Sequence, residues 1–286
     1  MPIITPFEVN NFMNTNPLKQ YFRRPSVYLK LPSGGQGYPE GSITFTETGE
    51  LPVYPMTAID EITSKTPDAL FNGNAVVDII KSWVPDIKDP WAIKNIDIDS
   101  ILISIRAASG AGNIDVNTVC EKCQNDATYS INLVGALNTM KSGDYNKELS
   151  IGNLKIKFKP LEYRELNKSS MAQLEIQKLF STIDQTNDIA EKNRLTEVAL
   201  RSLTDLTMDL VSKAIEYIRT PETMVTQTEY ILEFLKNCDK NDYIVIRDYN
   251  AELRSQASLK PLEIECTNCQ HQYQQPFTLN MSDFFG

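Results

Sequence analysis

Alternation of apolar and polar residues predicts short strands near the start, in the middle and at the end of the chain. Val27, Leu29 and Leu31 alternate before the glycine-rich stretch LPSGG, which indicates a strand that runs into a turn. IDVNTV and YSINL, on either side of a cysteine pair, have the same pattern, as does LKIKF at 154–158. The closing segment PLEIECTNCQHQYQQPFTL again alternates apolar and polar residues, so strands are predicted at both ends of the chain.

Apolar residues at helical spacing predict three helices between residues 57 and 110. TAIDEITSK opens with Thr57, and Asp60 three residues later approximates a capping box. DIDSILISIRAASGAG begins with acidic residues and ends at Gly110, a helix stop. NAVVDIIKSWV places four large apolar residues on one helical face: Val76, Ile79, Ile80 and Trp83.

From Tyr163 to about Leu253 the pattern is helical, so strands that hold cysteines flank a helical block. NRLTEVALRSLTDLTMDLVSKAIEYI carries a stripe predicted to pack against neighbouring helices: Leu195, Ala199, Leu203, Leu206 and Leu210. This order indicates an α+β fold rather than regular βαβ alternation. We expect an extended N-terminal arm at 1–25, a strand-and-helix domain at 26–160, a helical insertion at 161–255 and a closing segment at 256–286.

Amino-acid composition limits the classes of partner and the cellular compartment that we expect for this protein. The 286 residues include 37 acidic and 28 basic side chains, and the formal net charge of −9 argues against nucleic acid and anionic lipid as partners. The N-terminus lacks the basic region and apolar run of a signal peptide, and no apolar run is long enough to span a bilayer. We expect a soluble protein made in a cytosol, where its five cysteines are thiols or metal ligands rather than disulfides.

The cysteines form an internal repeat. VCEKCQ and ECTNCQ both read Cys-x-x-Cys-Gln, and in each a large apolar residue and a leucine follow at matching distances. Two thiolates two residues apart can chelate one ion from a tight turn, called a knuckle here, and zinc takes four such ligands in a tetrahedron. Cys120, Cys123, Cys266 and Cys269 are therefore predicted to hold one structural Zn²⁺ between two halves of a zinc ribbon, with no position left for a substrate.

Unmetallated thiols and a redox-active pair are the alternatives to zinc. A redox Cys-x-x-Cys normally lies at a helix N-terminus, whereas strand-like residues follow both pairs here. The single histidine, His271, is either an exposed loop residue, a substitute ligand or a hydrogen-bond donor to a ligand. Cys238, on a helical stretch, is predicted to be a reduced, partly buried thiol.

The sequence offers little basis for catalysis. One histidine argues against histidine acid–base chemistry, and there is no Gly-x-x-x-x-Gly-Lys phosphate loop. SGAG at 109–112 follows a helix and precedes a strand, the reverse of a phosphate-binding order, so we interpret it as a turn. We interpret LPSGGQGYPEG as a turn between strands and the basic YFRR at 21–24 as an ordinary solvated segment. We therefore predict that the protein is not an enzyme.

The order of several motifs resembles a known family. YLKLPSGGQGYPEGSITF joins Leu-Pro-Ser-x-Gly to a Tyr-Pro pair, and Pro-Met-Thr, Asp-Glu and Leu-x-Asn-Gly follow in turn. IDSILISIRAASGAGNIDVNTVCEKC places Ile-Arg-x-x-Ser-x-Gly ahead of the first knuckle, and IECTNCQHQYQQPFTLNMSDFF closes the chain. Over roughly residues 25–135 and 260–286 the sequence resembles the baseplate hub subunit family of T-even-type contractile-tailed bacteriophages.

The resemblance implies a non-enzymatic component or assembly factor of the baseplate hub. Its partners would be other baseplate and hub proteins. It would occupy the host cytoplasm during assembly and, if it is a component rather than an assembly factor, the baseplate of the virion tail. Apolar aromatic residues near both ends either become ordered on such partners or pack on the protein's own core: Phe7, Phe12, Phe284 and Phe285. A cell-wall hydrolase of the tail that uses two carboxylates and a zinc-ribbon adaptor are the alternative functions.

Overall fold

The computed structural model describes residues 16–64, 73–110, 112–137, 139–185 and 188–275, and these confirm the α+β class. Their α-helices are α1 Ala58–Ser64, α2 Asn74–Trp83, α3 Asn95–Ala108, α4 Leu133–Leu137, α5 Tyr163–Gln185, α6 Ile189–Ala214, α7 Thr228–Asn237 and α8 Lys240–Ser255. Their strands are β1 Val27–Leu29, β2 Leu51–Val53, β3 Asn113–Val119, β4 Asp126–Asn132, β5 Glu148–Ile151, β6 Leu154–Phe158, β7 Ile215–Arg219, β8 Met224–Val225, β9 Leu262–Glu265 and β10 Gln272–Gln275.

All of these strands pair in antiparallel fashion. β1 pairs with β2, β3 with β4 and β9 with β10, while the remaining four form a sheet in the order β5-β6-β7-β8. The hydrophobic core has two main parts. One lies between α2, α3 and the β1–β2 pair around Trp83, and the other joins β6 and β7 to α7 and α8 around Phe158.

The helices predicted between residues 57 and 110 are confirmed. At the start of α1 the Thr57 N–H donates to Asp60 Oδ2 at 2.9 Å and the Asp60 N–H donates to Thr57 Oγ1 at 3.2 Å, which completes the capping box. In α2 the four residues predicted to share a face are all buried. Burial of these large side chains on α2 and of the apolar side of α3 stabilises this part of the chain.

The helical prediction is wrong for residues 215–225. The periodic pattern of α6 was predicted to continue through Ile218, but the helix ends at Ala214 and β7 begins at the next residue. Ile215 and Ile218 are buried against β6, where Phe158 pairs with Ile215. β-Branched side chains pack well in a sheet, so tertiary pairing overrides the helical spacing at this point. The helical block therefore contributes two strands to the sheet.

The long helices α5 and α6 pack against each other as an antiparallel hairpin. A small apolar cluster between them includes Leu195, Ala199 and Leu206 of the predicted stripe, together with Ile176 and other residues of α5. Leu203 departs from the prediction because 37% of its surface is exposed. Within the described residues, no helix combines the length and the apolar character needed to cross a membrane.

The end of the predicted N-terminal arm is fixed to the body of the protein by Arg23. Its Nη1 donates to the carbonyl oxygen of Pro55 at 2.7 Å and pairs with Asp60 at 3.2 Å. Its Nη2 donates to the carbonyl oxygen of Ser82 at 2.6 Å, and the guanidinium lies 5.7 Å from the centre of the Tyr54 ring. The interpretation of YFRR as a merely solvated segment is therefore wrong for Arg23.

Residues 17–21 of the same arm form a 3-10 helix rather than extended chain. Asn16 caps this helix, since its Oδ1 accepts from the Leu18 N–H at 2.9 Å. The rest of the predicted arm, with Phe7 and Phe12, lies outside the described residues, as do Phe284 and Phe285 at the other end.

Arg23→Ala is expected to lower the free energy of unfolding by about 2 kcal/mol, because several hydrogen bonds of a charged donor are lost together. Arg23→Lys should recover only part of this loss, since an ammonium cannot reproduce the fork that reaches Pro55, Asp60 and Ser82. Urea unfolding measures the loss, and amide hydrogen exchange should show faster exchange in residues 16–25. An unchanged unfolding midpoint in Arg23→Ala would contradict the anchoring role.

The glycine-rich stretch LPSGGQGYPEG is a turn, as predicted, and a buried carboxylate holds it in place. Asp97, in the first turn of α3, accepts from the Ser33 N–H at 2.9 Å and from the Tyr38 hydroxyl at 2.8 Å. The Tyr38 oxygen in turn accepts from the Lys94 N–H at 2.9 Å. Gly34 and Gly35 take positive φ angles of 63° and 80°, a conformation that glycine adopts at little cost. The loop is thus tied to the start of α3.

Candidate metal centre

Two β-hairpins from distant parts of the chain carry the four clustered cysteines. Cys120 directly follows β3 and Cys123 lies in the turn before β4. Cys266 directly follows β9 and Cys269 lies in the turn before β10. Each Cys-x-x-Cys sequence therefore forms the tip of a hairpin, as the strand-like residues around both pairs predicted.

The first knuckle is closed by two backbone hydrogen bonds. The Gln124 N–H donates to the Cys120 carbonyl at 2.9 Å, and the Cys120 N–H donates to the Asn125 carbonyl at 2.9 Å. Gln124 has a φ of 58°, in the left-handed region that residues other than glycine seldom adopt. This conformation turns the chain back toward β4 immediately after the second cysteine.

The second knuckle repeats this geometry. The Gln270 N–H donates to the Cys266 carbonyl at 2.9 Å, the Cys266 N–H donates to the His271 carbonyl at 2.9 Å, and Gln270 has a φ of 57°. Gln124 and Gln270 are the only non-glycine residues with positive φ among those that the structure describes. Both glutamines occupy the same position of the Cys-x-x-Cys-Gln repeat, but the repeat alone did not predict this conformation, which costs on the order of 1 kcal/mol or more per residue.

The four sulfur atoms lie close enough together to share one metal ion. All four Sγ atoms are within 4.8 Å of one another. The Sγ atoms of Cys120 and Cys269 are 3.7 Å apart and those of Cys123 and Cys266 are 3.6 Å apart. Metal–sulfur bonds of about 2.3 Å at tetrahedral angles place sulfurs about 3.8 Å apart. This donor set could therefore hold a metal ion, and the distances fit one of the size of Zn²⁺.

Hydrogen bonding and desolvation shift the pKa values of two thiols in the cluster. Cys120 and Cys266 are buried, while Cys123 and Cys269 are half-buried. The backbone N–H of Asn125, and to a smaller extent the neighbouring thiols, lower the pKa of the Cys123 thiol to about 6. The backbone N–H of His271 acts in the same direction on Cys269, but desolvation and the three other thiols raise its pKa to about 12. Because metal ligands must be thiolates, metal binding here would release protons.

Contacts beside the cysteines also join the two hairpins. The Thr118 hydroxyl donates to Gln275 Oε1 at 2.8 Å, and the Tyr129 hydroxyl donates to the Glu265 carbonyl at 3.1 Å. The Tyr273 hydroxyl donates to Thr118 Oγ1 at 3.4 Å. These contacts could not be predicted from the sequence, because each joins residues more than 130 positions apart.

Comparison with known protein families shows which family the chain belongs to. A family model described as T4 bacteriophage base plate protein matches residues 25–286, nearly the whole chain. The chain belongs to this family. Searches of curated proteins and of solved structures found no significant match. Family membership indicates a structural, non-enzymatic role in a phage baseplate, a location in the virion tail and interaction with other phage proteins.

The two remaining candidate residues of this baseplate protein lie outside the four-sulfur cluster. The His271 ring stacks on Tyr273, with 6.2 Å between the ring centres. Cys238, the residue after α7, is half-buried, and its Sγ lies 3.6 Å from the Leu235 carbonyl oxygen. His271 is therefore not a fifth member of the cluster, and Cys238 is a reduced thiol as predicted.

Proposed function

We propose that this baseplate protein acts in the central hub of a contractile phage tail, as a hub component or an assembly factor. It would work in the host cytoplasm during assembly, through contacts with other baseplate and hub proteins. The family match over residues 25–286 is the observation that carries this proposal, since it covers both the motifs that resemble hub subunits and the two knuckles. Residues 161–255 would be an insertion between the two halves of the metal site.

Zinc held by Cys120, Cys123, Cys266 and Cys269 forms the second part of the proposal. Bound Zn²⁺ would supply four bonds to thiolates and so cross-link the β3–β4 and β9–β10 hairpins. The protein residues orient the sulfurs through the strained glutamines, and the contact between Thr118 and Gln275 holds the hairpins in register. Four protein ligands leave no position for a substrate, so the role of the ion is mechanical.

Exposed apolar side chains next to the Arg23 anchor support the role of protein contacts. Leu18, Tyr21 and Phe22, named the N-terminal patch here, are 60%, 76% and 56% exposed. The ion pair between Arg23 and Asp60 places this patch close to α1. Exposed apolar patches on soluble proteins commonly mark interaction sites, and aromatic residues are enriched in interface cores.

Affinity purification from phage-infected cells, followed by mass spectrometry, tests the proposed function. The tagged wild-type protein is expected to recover other baseplate proteins of the phage. The variant Leu18→Ser/Tyr21→Ser/Phe22→Ser is expected to recover about tenfold less, because truncating a few buried anchors removes most of the binding energy of an interface. Met224→Ser/Val245→Ser removes exposed apolar side chains elsewhere and serves as the matched control.

The possible results test the proposed function and the N-terminal patch separately. Failure of the wild-type protein to recover any baseplate protein would refute a role in assembly through protein contacts. Equal recovery by the wild type and the triple variant would instead exclude the N-terminal patch as the contact and leave the proposed function in place.

A further inference from the structure

A half-open cavity of about 360 Å³ lies between α3, α5 and the C-terminal end of α8. Asn95, Asp99 and Leu102 line it from α3, where spacings of four and three residues place them on one helical face. Tyr163 and Leu166 line it from the first turn of α5. Its size is at the lower end of the range for ligand pockets, which is about 300–1,000 Å³.

Two hydrogen-bond acceptors in this cavity lack a donor among the residues that the structure describes. The Asn95 Oδ1 atom is buried and has no hydrogen-bond partner within the described part of the chain. The Asp99 carboxylate makes no hydrogen bond or ion pair with any residue that the structure describes, and burial raises its pKa. Asp97, two residues earlier on the same helix, accepts from both Ser33 and Tyr38. Asp99 is half-buried, so part of its carboxylate still meets solvent, whereas the Asn95 Oδ1 atom is buried without a donor among the described residues. Buried polar groups are almost always satisfied, so this atom indicates that a donor is missing from the cavity.

We propose that this cavity binds a basic side chain, arginine or lysine, presented by a partner protein. The cationic head would donate to Asp99 and Asn95, and the aliphatic stem would lie against the apolar walls formed by Ile98, Leu102 and Leu166. The net charge of −9 favours approach by a basic partner. The choice of a protein as the source rests on the proposed function in the baseplate, and the chemistry of the cavity stands independently of it.

Arg254 makes the sign of the ligand's charge testable. It borders the same cavity from α8 and forms no ion pair with Asp99 among the described residues. A cationic ligand is repelled by Arg254 and attracted by Asp99, whereas an anionic ligand would show the opposite preference. Substitution of each residue by a neutral one therefore gives opposite outcomes for the two ligand classes.

The test is an NMR titration of the full-length protein with blocked amino acids. N-acetyl-arginine amide and N-acetyl-lysine amide are expected to shift the side-chain amide signals of Asn95 and Asn167, which both line the cavity. Asp99→Asn should weaken this binding by about tenfold or more, as for loss of a charge-assisted hydrogen bond. Arg254→Ala should leave it unchanged or tighten it, and Asp78→Asn, which neutralises an exposed carboxylate on α2, should leave it unchanged.

Folding of the variant is checked separately. Asp99→Asn removes a half-buried carboxylate that has no partner among the described residues and whose pKa is raised by desolvation, so the variant is expected to unfold at the same temperature as the wild type or a higher one. Absence of shifts with both basic probes at tens of millimolar would overturn the proposal, as would preferential binding of N-acetyl-glutamate amide. Binding of spermidine without binding of the blocked residues would overturn the assignment to a protein side chain. None of these results bears on the recovery of baseplate proteins from infected cells.

Discussion

Replacing Cys266 and Cys269 with serine is expected to remove about one Zn²⁺ per chain and to prevent hub assembly. These residues supply half of the four-sulfur cluster, and a serine hydroxyl is a poor replacement for a thiolate ligand of zinc. Metal binding contributes on the order of 10 kcal/mol to the folding of small zinc modules. The contribution here should be smaller, because a large hydrophobic core supports the rest of the fold.

The structural damage should be confined to the end of the chain. The β9–β10 hairpin contacts the β3–β4 hairpin through the cysteines and a few hydrogen bonds, such as that between Tyr129 and Glu265. The core clusters around Trp83 and Phe158 contain none of the four cysteines. The double variant should therefore keep its helical circular dichroism while residues 262–275 lose protection against hydrogen exchange.

Elemental analysis and complementation of a phage that lacks the gene measure the two halves of this prediction. Cys238→Ser is the matched control, because it removes a thiol outside the cluster and should keep both metal and assembly. Wild-type protein purified without chelator that contains no zinc would refute the metal assignment. Normal plaque formation by a zinc-free double variant would refute its mechanical role.

The cluster could be predicted from the sequence because its main determinants are local. Two residues between cysteines, followed by a glutamine and a strand, define a knuckle within a few positions, and the repeat indicates that two knuckles share one ion. The capping box of Thr57 and Asp60 is local in the same sense, and it was also predicted correctly. Periodicity likewise identified α2, whose apolar face is strongly patterned, and α3, although α3 is buried on nearly all sides.

The features that the sequence did not reveal depend on distant residues. Ile215 and Ile218 fit a helix as well as a strand, and pairing with β6 decides between the two. The sequence around Arg23 is typical of a solvated basic segment. Its anchoring role depends on Pro55 and Ser82, whose carbonyl oxygens lie next to the guanidinium only in the folded protein. Asp97 reads as an acidic residue at a helix start, and nothing in its neighbourhood indicates that it is buried against a loop about 60 residues earlier.

That burial makes Asp97→Ala the single substitution with the largest expected effect on stability outside the cysteines. The free energy of unfolding is expected to fall by about 3–4 kcal/mol, because the Ser33 N–H and the Tyr38 hydroxyl both lose a charged acceptor inside the protein. Urea unfolding at neutral pH measures this loss. Asp78→Ala, on the exposed face of α2, is the control and should change stability by less than about 0.5 kcal/mol.

Asp97→Asn keeps a hydrogen-bond acceptor at this position but removes the charge. The pH dependence of the stability difference between this variant and the wild type therefore reports the effect of the charge. Desolvation raises the pKa of the Asp97 carboxyl above its ordinary value of 3.8, against the hydrogen bonds from Ser33 and Tyr38 and the charge of Lys94. The unfolded state has the ordinary pKa and the folded state has the raised one. At a pH between the two, the folded state holds a proton that the unfolded state has released, so stability falls as pH rises. The stability advantage of the wild type over Asp97→Asn should therefore be largest below pH 3.8 and shrink as pH rises through the folded pKa. Urea unfolding at a series of pH values measures it, and an advantage that grows over this interval would show that hydrogen bonding outweighs burial at Asp97.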